Sequence, residues 1–322
     1  MGGCRCGRAS HAGALPVYGE VTVEPLVATQ IAVAAVQNVL FATAAGSLAC
    51  EAVGSRSGIG PPTALRGWQA GLSMVLALTT LAYLWLQAAV MSGSPLSDAG
   101  AAVIAVLTQS HYGVAWSVGF VGALLATLSR LSDRRGLPLF IAGLVAWAAG
   151  KAAASHAADA GDFSAREAIH VAHLCATALW AGSVIVAAIM LRRSATAHAT
   201  TERRAAFCGE LSYLATAALV VVLVTGLYNV MQDTGQADVR LFTMPWGRIL
   251  AAKLVCVAAA VGLGGWNRLV VLPELRAQAH QDGSAFMATQ ERFHAWLFVE
   301  ALAMLAILAI AAVLGHTSPT GG

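Results

Sequence analysis

Eight long apolar stretches, separated by short polar or turn-rich segments, constrain this chain more than any other feature of its sequence. A helix needs about 20 predominantly apolar residues to cross the hydrocarbon core of a bilayer. Only 11% of the residues are charged, against about a quarter in soluble domains. The sequence therefore predicts an all-α, polytopic membrane helical bundle with eight transmembrane helices, over residues 26–50, 67–91, 100–128, 137–158, 166–191, 206–232, 246–270 and 293–315.

Charge alternates between the connections that join these stretches. Arginines cluster after the first, third, fifth and seventh stretches, whereas the other connections carry mainly aspartates. Cytoplasmic loops are enriched in Lys and Arg, so the odd-numbered connections are predicted to be cytoplasmic and both termini periplasmic. The expected location is a bacterial inner (plasma) membrane.

The domain organisation expected from these stretches is a single membrane domain. An N-terminal periplasmic segment covers 1–25, the first four helices cover 26–160, and a second four-helix region covers 161–322. The formal net charge is only +3, and no basic repeat favours a nucleic-acid partner. Membrane lipid is the expected surrounding.

Histidines gather at the predicted periplasmic mouth, around the connection between the fourth and fifth stretches. His170 and His173 are three residues apart and so share one helix face, while His156 approaches from the end of the fourth stretch. Imidazole nitrogens suit copper, zinc and iron. We therefore predict a three-nitrogen metal site, with His316 and the more deeply placed His111 as further candidates.

Methionines occur at the same predicted level and bear on the choice of metal. Met231 ends the sixth stretch and Met244 precedes the seventh. Thioether sulfur selects Cu(I), so histidine with methionine favours copper, in either oxidation state. The alternative is structural, because methionine in a membrane helix commonly serves packing. Cys4 and Cys6 form a short C-x-C pair that is too unspecific to assign.

Polar residues inside the predicted spans are the remaining candidates. Lys151, Lys253 and Glu300 fall within apolar stretches, where a charge costs at least about 2.5 to 3.5 kcal/mol. Each should face the interior or a partner. Lys253 and Glu300 are expected to pair across the seventh and eighth helices, with tilt or water closing the axial separation of about 10 Å that the predicted boundaries give. Lys151 either serves the interior or snorkels to the headgroups. Arg248 and Asn229 lie nearer the periplasmic surface, where they are expected to bind an anion or orient ligands.

Five segments, in this order, resemble the copper resistance protein D family of bacterial membrane proteins. They are "IHVAHLCATALWAGSVIV", preceded by "SHAA", then "TGLYNV", "PWGRILAAKL", "WNRLVVLPEL" and "VEALAMLAILAIAAVLGHTSP". Ser155 stands where glycine is expected before the first histidine. Matching positions are occupied by His156, His170, His173, Trp180, Gly247, Arg248, Lys253, Asn267, Arg268 and Glu300.

The resemblance implies a role in copper homeostasis and resistance. Copper would come from the periplasm, or from a periplasmic carrier resembling copper resistance protein C, and move toward the cytoplasm. No G-x-x-x-x-G-K-[ST] motif or D-K-T-G segment is present, which excludes a self-contained ATP-driven pump. We expect no enzymatic activity.

Two alternatives stay open at this point. The chain is alternatively a haem b-binding membrane oxidoreductase or electron carrier, with His111 and His173 as axial ligands of one porphyrin. It is otherwise a copper sensor or assembly factor that binds the ion without transporting it.

Overall fold

The computed structural model describes residues 20–59, 63–132, 136–155, 161, 163–192, 199–234, 244–279 and 283–317. All regular elements in these ranges are helical. They are α1 (Glu20–Arg56), α2 (Thr63–Ser92), α3 (Ala99–Gln109), α4 (His111–Leu131), α5 (Leu137–Ala153), α6 (Ala165–Arg192), α7 (Thr201–Thr234), α8 (Pro245–Trp266), a π-helical segment (Asn267–Val271), α9 (Leu272–Gln278) and α10 (Ser284–Leu314).

Seven helical runs in the described part of the chain are long and apolar enough to cross a membrane. They are α1, α2, α4, α6, α7, the continuous run Pro245–Gln278 and α10. The helical, multi-pass architecture predicted from the apolar stretches is therefore confirmed. The helices α3 and α5 are apolar but shorter, so the count of eight spans stays a prediction.

The prediction of one uninterrupted helix over 100–128 is wrong. Ser110 has an extended backbone and separates α3 from α4, and its hydroxyl oxygen accepts a hydrogen bond from the Gly113 N–H. This is an ordinary serine N-cap, and it starts the second helix at His111. The fourth stretch, predicted over 137–158, forms α5 and ends at Ala153.

Glycines allow the closest helix contacts in the bundle. A Cβ added to Gly182 of α6 would collide with the Ala42 carbonyl of α1, and one added to Gly46 would collide with the Gly182 backbone. The helices α4 and α5 meet in the same way at Gly122 and Gly143. Small residues let membrane helices approach this closely and gain van der Waals contact, so these crossings fix the centre of the bundle.

The arginine-rich connections meet at one end of the bundle, which we call the basic end. The Arg66 guanidinium donates to the Arg130 carbonyl over 3.1 Å, and the Arg203 guanidinium donates to the Gly58 carbonyl over 3.2 Å. Arg130 is buried and forms a 2.7 Å ion pair with Glu51. The first turns of α6 and the last turns of α7 therefore lie at the opposite end, which we call the histidine end.

The π-helical segment that continues α8 contacts α7 toward the basic end. There the Arg268 guanidinium donates to the Ser212 carbonyl over 2.9 Å and to the Thr216 hydroxyl oxygen. Elsewhere α7 packs along α6 and α8 packs along α10, with no extensive α7–α8 contact among the described residues.

Candidate functional site

Three side-chain pairs join the first turns of α6 to the last turns of α7. They are Arg166 Nη2 to Asp233 Oδ1 (2.6 Å), Asn229 Nδ2 to His170 Nδ1 (3.3 Å) and His173 Nδ1 to Thr225 Oγ1 (2.9 Å). Residues three or four apart share a helix face, and the paired residues follow one another at that spacing along both α6 and α7. We call these six residues the polar ladder.

The lowest pair of the polar ladder fixes the protonation of one imidazole. The Thr225 hydroxyl donates to the Val221 carbonyl over 2.6 Å, so its oxygen is left to accept. The His173 ring also bonds to the backbone of Val222, and with Nδ1–H as the donor to Thr225 the Nε2 lone pair is left for a ligand. A hydrogen bond at one ring nitrogen is the usual way in which proteins orient a metal-binding histidine.

With the Asn229 amide oriented as it is in the structure, neutral His170 has the opposite tautomer from His173. The Asn229 amide N–H donates to His170 Nδ1, so the neutral ring carries its proton on Nε2. Reversing the amide would present Asn229 Oδ1 as an acceptor, move the ring proton to Nδ1 and free the Nε2 lone pair. Asn229 therefore sets whether His170 is ready to bind a metal ion.

The two imidazole rings lie side by side and do not yet converge on one point. Their centroids are 6.5 Å apart and their planes differ by 26°. Two nitrogen ligands of one metal ion lie within about 4 Å of each other, given metal–nitrogen bonds of about 2 Å. Both rings would have to turn before they could bind the same ion.

Two lysines contribute positive charge beside the polar ladder. Lys253 of α8 acts electrostatically on both imidazoles and on the Asp233 carboxylate, and Lys151 of α5 acts on His170. The Lys151 ammonium also lies 5.2 Å from the centroid of the Trp147 ring, a favourable cation–π distance. Both lysines add positive charge to the surroundings of the imidazoles, so the basic side chains near the polar ladder outnumber the acidic ones.

The expected ion pair between Lys253 and Glu300 is absent from the described residues. The Glu300 carboxylate lies over Gly264 of α8, which is eleven residues beyond Lys253. At 1.5 Å per residue this separation is about 16 Å along the helix axis. The prediction is therefore wrong, because the two charges occupy different depths.

His316 and His111 lie outside the polar ladder. The His316 Nδ1–H donates to the Ala312 carbonyl over 2.8 Å, and the Tyr83 hydroxyl donates to Nε2 over 2.9 Å. A metal ion at His316 would have to displace Tyr83. His111 is the first residue of α4, directly after the break at Ser110, and it is exposed.

The remaining candidates occupy several environments. Met231 is 64% exposed, because it lies two residues from Asn229 and so on the opposite side of α7 from the polar ladder. Met244 is half-buried at the start of α8, and Arg248 is exposed. Trp180 is buried in the core of α6. No cluster of three His, Cys, Asp or Glu side chains suited to a metal occurs within the described ranges.

Several predicted residues lie outside the described part of the chain. They are His156, Cys4 and Cys6. The three-histidine site therefore stays a prediction, with two of its members placed side by side. A cavity of about 880 Å³ occurs instead at the basic end, lined by residues that include Arg56, Glu210 and Arg276.

Reasoning from sequence missed half of the polar ladder. Arg166, Thr225 and Asp233 were not considered as site residues, and Gly226, whose backbone lies against the His173 ring, was not considered either. Their spacing was visible in the sequence, since polar residues recur every three or four positions at the end of one apolar stretch and the start of another. That pattern indicates a polar stripe between two helices.

The fold and this site define a multi-pass, α-helical membrane protein with two imidazoles on a polar contact between helices. The chain belongs to the copper resistance protein D family. The profile described as "Copper resistance protein D" matches residues 205–314, and that of the "Copper resistance protein D-like, N-terminal domain" matches residues 25–166. No curated protein and no solved structure matches the chain.

The family membership confirms the resemblance found in the sequence and connects the chain with copper resistance in a membrane. His170 and His173 lie between the two matched ranges, whereas Thr225, Asn229 and Asp233 lie within the second. The roles of the imidazoles therefore have to be argued from this chain's own geometry.

Proposed function

We propose that the protein is a copper resistance protein of the bacterial inner membrane, which binds copper at periplasm-facing imidazoles of α6 and imports it toward the cytoplasm. The observation that carries this proposal is the Thr225–His173 hydrogen bond, since it leaves one imidazole nitrogen free to bind a metal ion. His170 lies beside it on the same helix face. Membership of the copper resistance protein D family supports copper as the metal that is bound.

The basic end supports the predicted orientation. With α3 and α4 counted as one crossing and α5 as another, the chain crosses the bilayer eight times and both termini are periplasmic. The basic end is then cytoplasmic by the positive-inside rule. The histidine end faces the periplasm, where copper or a carrier resembling copper resistance protein C would meet the imidazoles.

Capture would begin at His173 Nε2 and recruit His170 when the Asn229 amide reverses. Met244 belongs to the same end and, together with the predicted ligand His156, would complete the ligand set, with His316, Met231 and His111 as outlying candidates. Thioether sulfur would favour Cu(I), and imidazoles alone would accept Cu(II). The positive charge of Lys151 and Lys253 opposes a bare cation, so copper would be held loosely and passed on.

Copper analysis of purified protein tests the site. The double variant His170→Ala, His173→Ala should lose most of its bound copper, while the matched variant His294→Ala, toward the basic end of α10, should bind as wild type does. If the double variant retains its copper, these imidazoles are not the site. A copper probe sealed inside vesicles separates import from binding, because a sensor would leave internal copper unchanged.

A haem protein is the second candidate, and the positive balance of the site favours it. Arg166, Lys151 and Lys253 would attract the propionates of a porphyrin, and His173 would offer an axial ligand. The predicted partner His111 starts α4, which packs mainly on α2 and α5, so α4 does not bring it to His173. A Soret band in the purified protein would support haem over copper.

A further inference from the structure

Glu300 places a carboxyl group deep inside the bundle. Only 6% of the Glu300 surface is exposed. At 1.5 Å per residue, Glu300 lies about 24 Å from the start of α10 at Ser284 and about 21 Å from its end at Leu314. A charge at this depth is costly, and buried ionisable residues within membrane spans usually serve function.

The Glu300 carboxyl group has no hydrogen-bond or ion-pair partner within the described part of the chain. It rests against the backbone of α8, where a Cβ added to Gly264 would lie 2.8 Å from Oε1. The glycine thus leaves room for the carboxyl group without neutralising it. An ionised Glu300 would be a buried and uncompensated charge.

Asn267 supplies a second buried polar group without a partner. It is 4% exposed, and its Oδ1 atom has no hydrogen-bond donor in the described residues. Asn267 lies three residues beyond Gly264 and begins the π-helical segment, a feature often found at functional sites. The helix α10 packs on both α8 and this segment.

These two groups complement each other in one protonation state only. The amide oxygen of Asn267 requires a donor, and a carboxylate has none, whereas a protonated carboxyl group carries one O–H. A single proton on Glu300 would therefore remove the buried charge and satisfy the orphaned oxygen.

Charged groups on the helices packed against α10 are directed elsewhere. Arg268 donates to Ser212 and Thr216 of α7, and Lys253 lies about 16 Å away along α8 from the glycine that Glu300 contacts. On α9, Glu274 accepts from Arg292. The imidazoles of α6 form hydrogen bonds with Thr225 and Asn229. Glu51 of α1 forms an ion pair with Arg130. The remaining titratable groups on the neighbouring helices α6 and α8 include the half-buried thiols of Cys175 and Cys256.

We propose that Glu300 is a reversible proton-binding site at mid-depth in the membrane, whose neutral form donates its proton to Asn267 Oδ1. When a monovalent cation such as Cu⁺ crosses the bundle, the Glu300 O–H bond breaks and the proton leaves to water, so the interior gains no net charge. This exchange rests on the proposed import of copper, whereas proton binding at Glu300 does not.

Infrared spectroscopy of the full chain in membranes at neutral pH tests proton binding directly. The wild-type spectrum minus that of Glu300→Gln should contain the C=O stretch of a protonated carboxyl group. Glu274→Gln is the matched control, and it should remove only carboxylate bands. A Glu300 difference that shows carboxylate bands alone would overturn the proposal.

The Asn267→Leu variant tests the proposed hydrogen bond from Glu300 to Asn267 Oδ1. This test remains valid even if the Glu300→Gln variant fails to fold. Loss of the acceptor should shift the protonated C=O band to higher frequency, as expected for a freed carboxyl group. An unshifted band would show that the proton is not donated to Asn267.

Vesicles that contain a copper probe and a pH dye test the exchange. Copper entry into wild-type vesicles should be accompanied by proton movement out, and Glu300→Gln should lose that movement while it still binds copper at the imidazoles. Unchanged proton movement in the variant would overturn the exchange. If copper fails to enter wild-type vesicles, the import proposal fails, and the infrared result still decides the proton site.

Discussion

The two faces of α6 make very different contacts. Toward α1, the helix is dry and closely packed: the backbones meet at Gly182 and Gly46, and Ala181 and Ala187 are fully buried. Toward α7, its first turns present Arg166, half-buried imidazoles and their polar partners. One helix therefore contributes a rigid contact that fixes the fold and a polar contact that positions ligands.

This difference indicates that stability and ligand binding are separable along α6. Van der Waals contact between close backbones stabilises membrane helices in a single arrangement. Polar side-chain contacts are worth less, typically about 0.6 kcal/mol each in membrane proteins. Substitutions at the two faces should therefore change different measured quantities.

The largest effect is expected from Gly182→Ala at the α1 contact. The new methyl group would overlap the Ala42 carbonyl, and such overpacking costs about 3 kcal/mol when the backbone has to move. Thermal unfolding in detergent should show a large loss of stability. In the control Gly71→Ala, the added Cβ meets nothing within 4 Å, so stability should be unchanged or slightly raised.

An intermediate effect is expected from Thr225→Val at the α7 contact. The substitution removes the side-chain acceptor for His173 Nδ1–H and leaves the Val222 backbone as the remaining partner of the ring among the described residues. Loss of such a supporting hydrogen bond weakens metal binding about 10- to 100-fold, so copper affinity should fall with little change in thermal stability.

The matched control for that experiment is Thr216→Val. The Thr216 hydroxyl lies on the same helix but accepts from Arg268, away from the imidazoles. Its loss should leave copper affinity at the wild-type value. Equal affinities of Thr225→Val and wild-type protein would mean that the tautomer of His173 does not matter for binding.

The sequence predicts the dry face better than the polar one. Apolar length alone predicted the α6 and α10 spans, because a bilayer imposes helices of that length. The break at Ser110 was missed, because the short polar segment 108–111 lies between two apolar runs and a long hydropathy window averages over it. The cap itself could have been recognised from Ser110 preceding an apolar run.

The sequence predicts that two site residues lie close together when both belong to the same helix. His170 and His173 follow from a spacing of three, whereas their partners Thr225 and Asn229 depend on how α6 and α7 align. The Lys253–Glu300 pair failed for the same reason, because depth across two helices is not written in either apolar stretch. Relative axial position is therefore what the sequence leaves open.

The smallest effect is expected from Gly226→Ala, the same chemical change as Gly182→Ala but on the polar face. Its new methyl group would lie 3.2 Å from His173 Cε1 and 3.6 Å from Nδ1. The new contact is with the edge of the imidazole, which can shift by a few tenths of an ångström and keep its hydrogen bond to Thr225. Copper affinity should change by less than about threefold, which corresponds to roughly 0.6 kcal/mol. A loss of thermal stability as large as that of Gly182→Ala would show that both faces of α6 are equally rigid, and the separation of fold from site along this helix would be wrong.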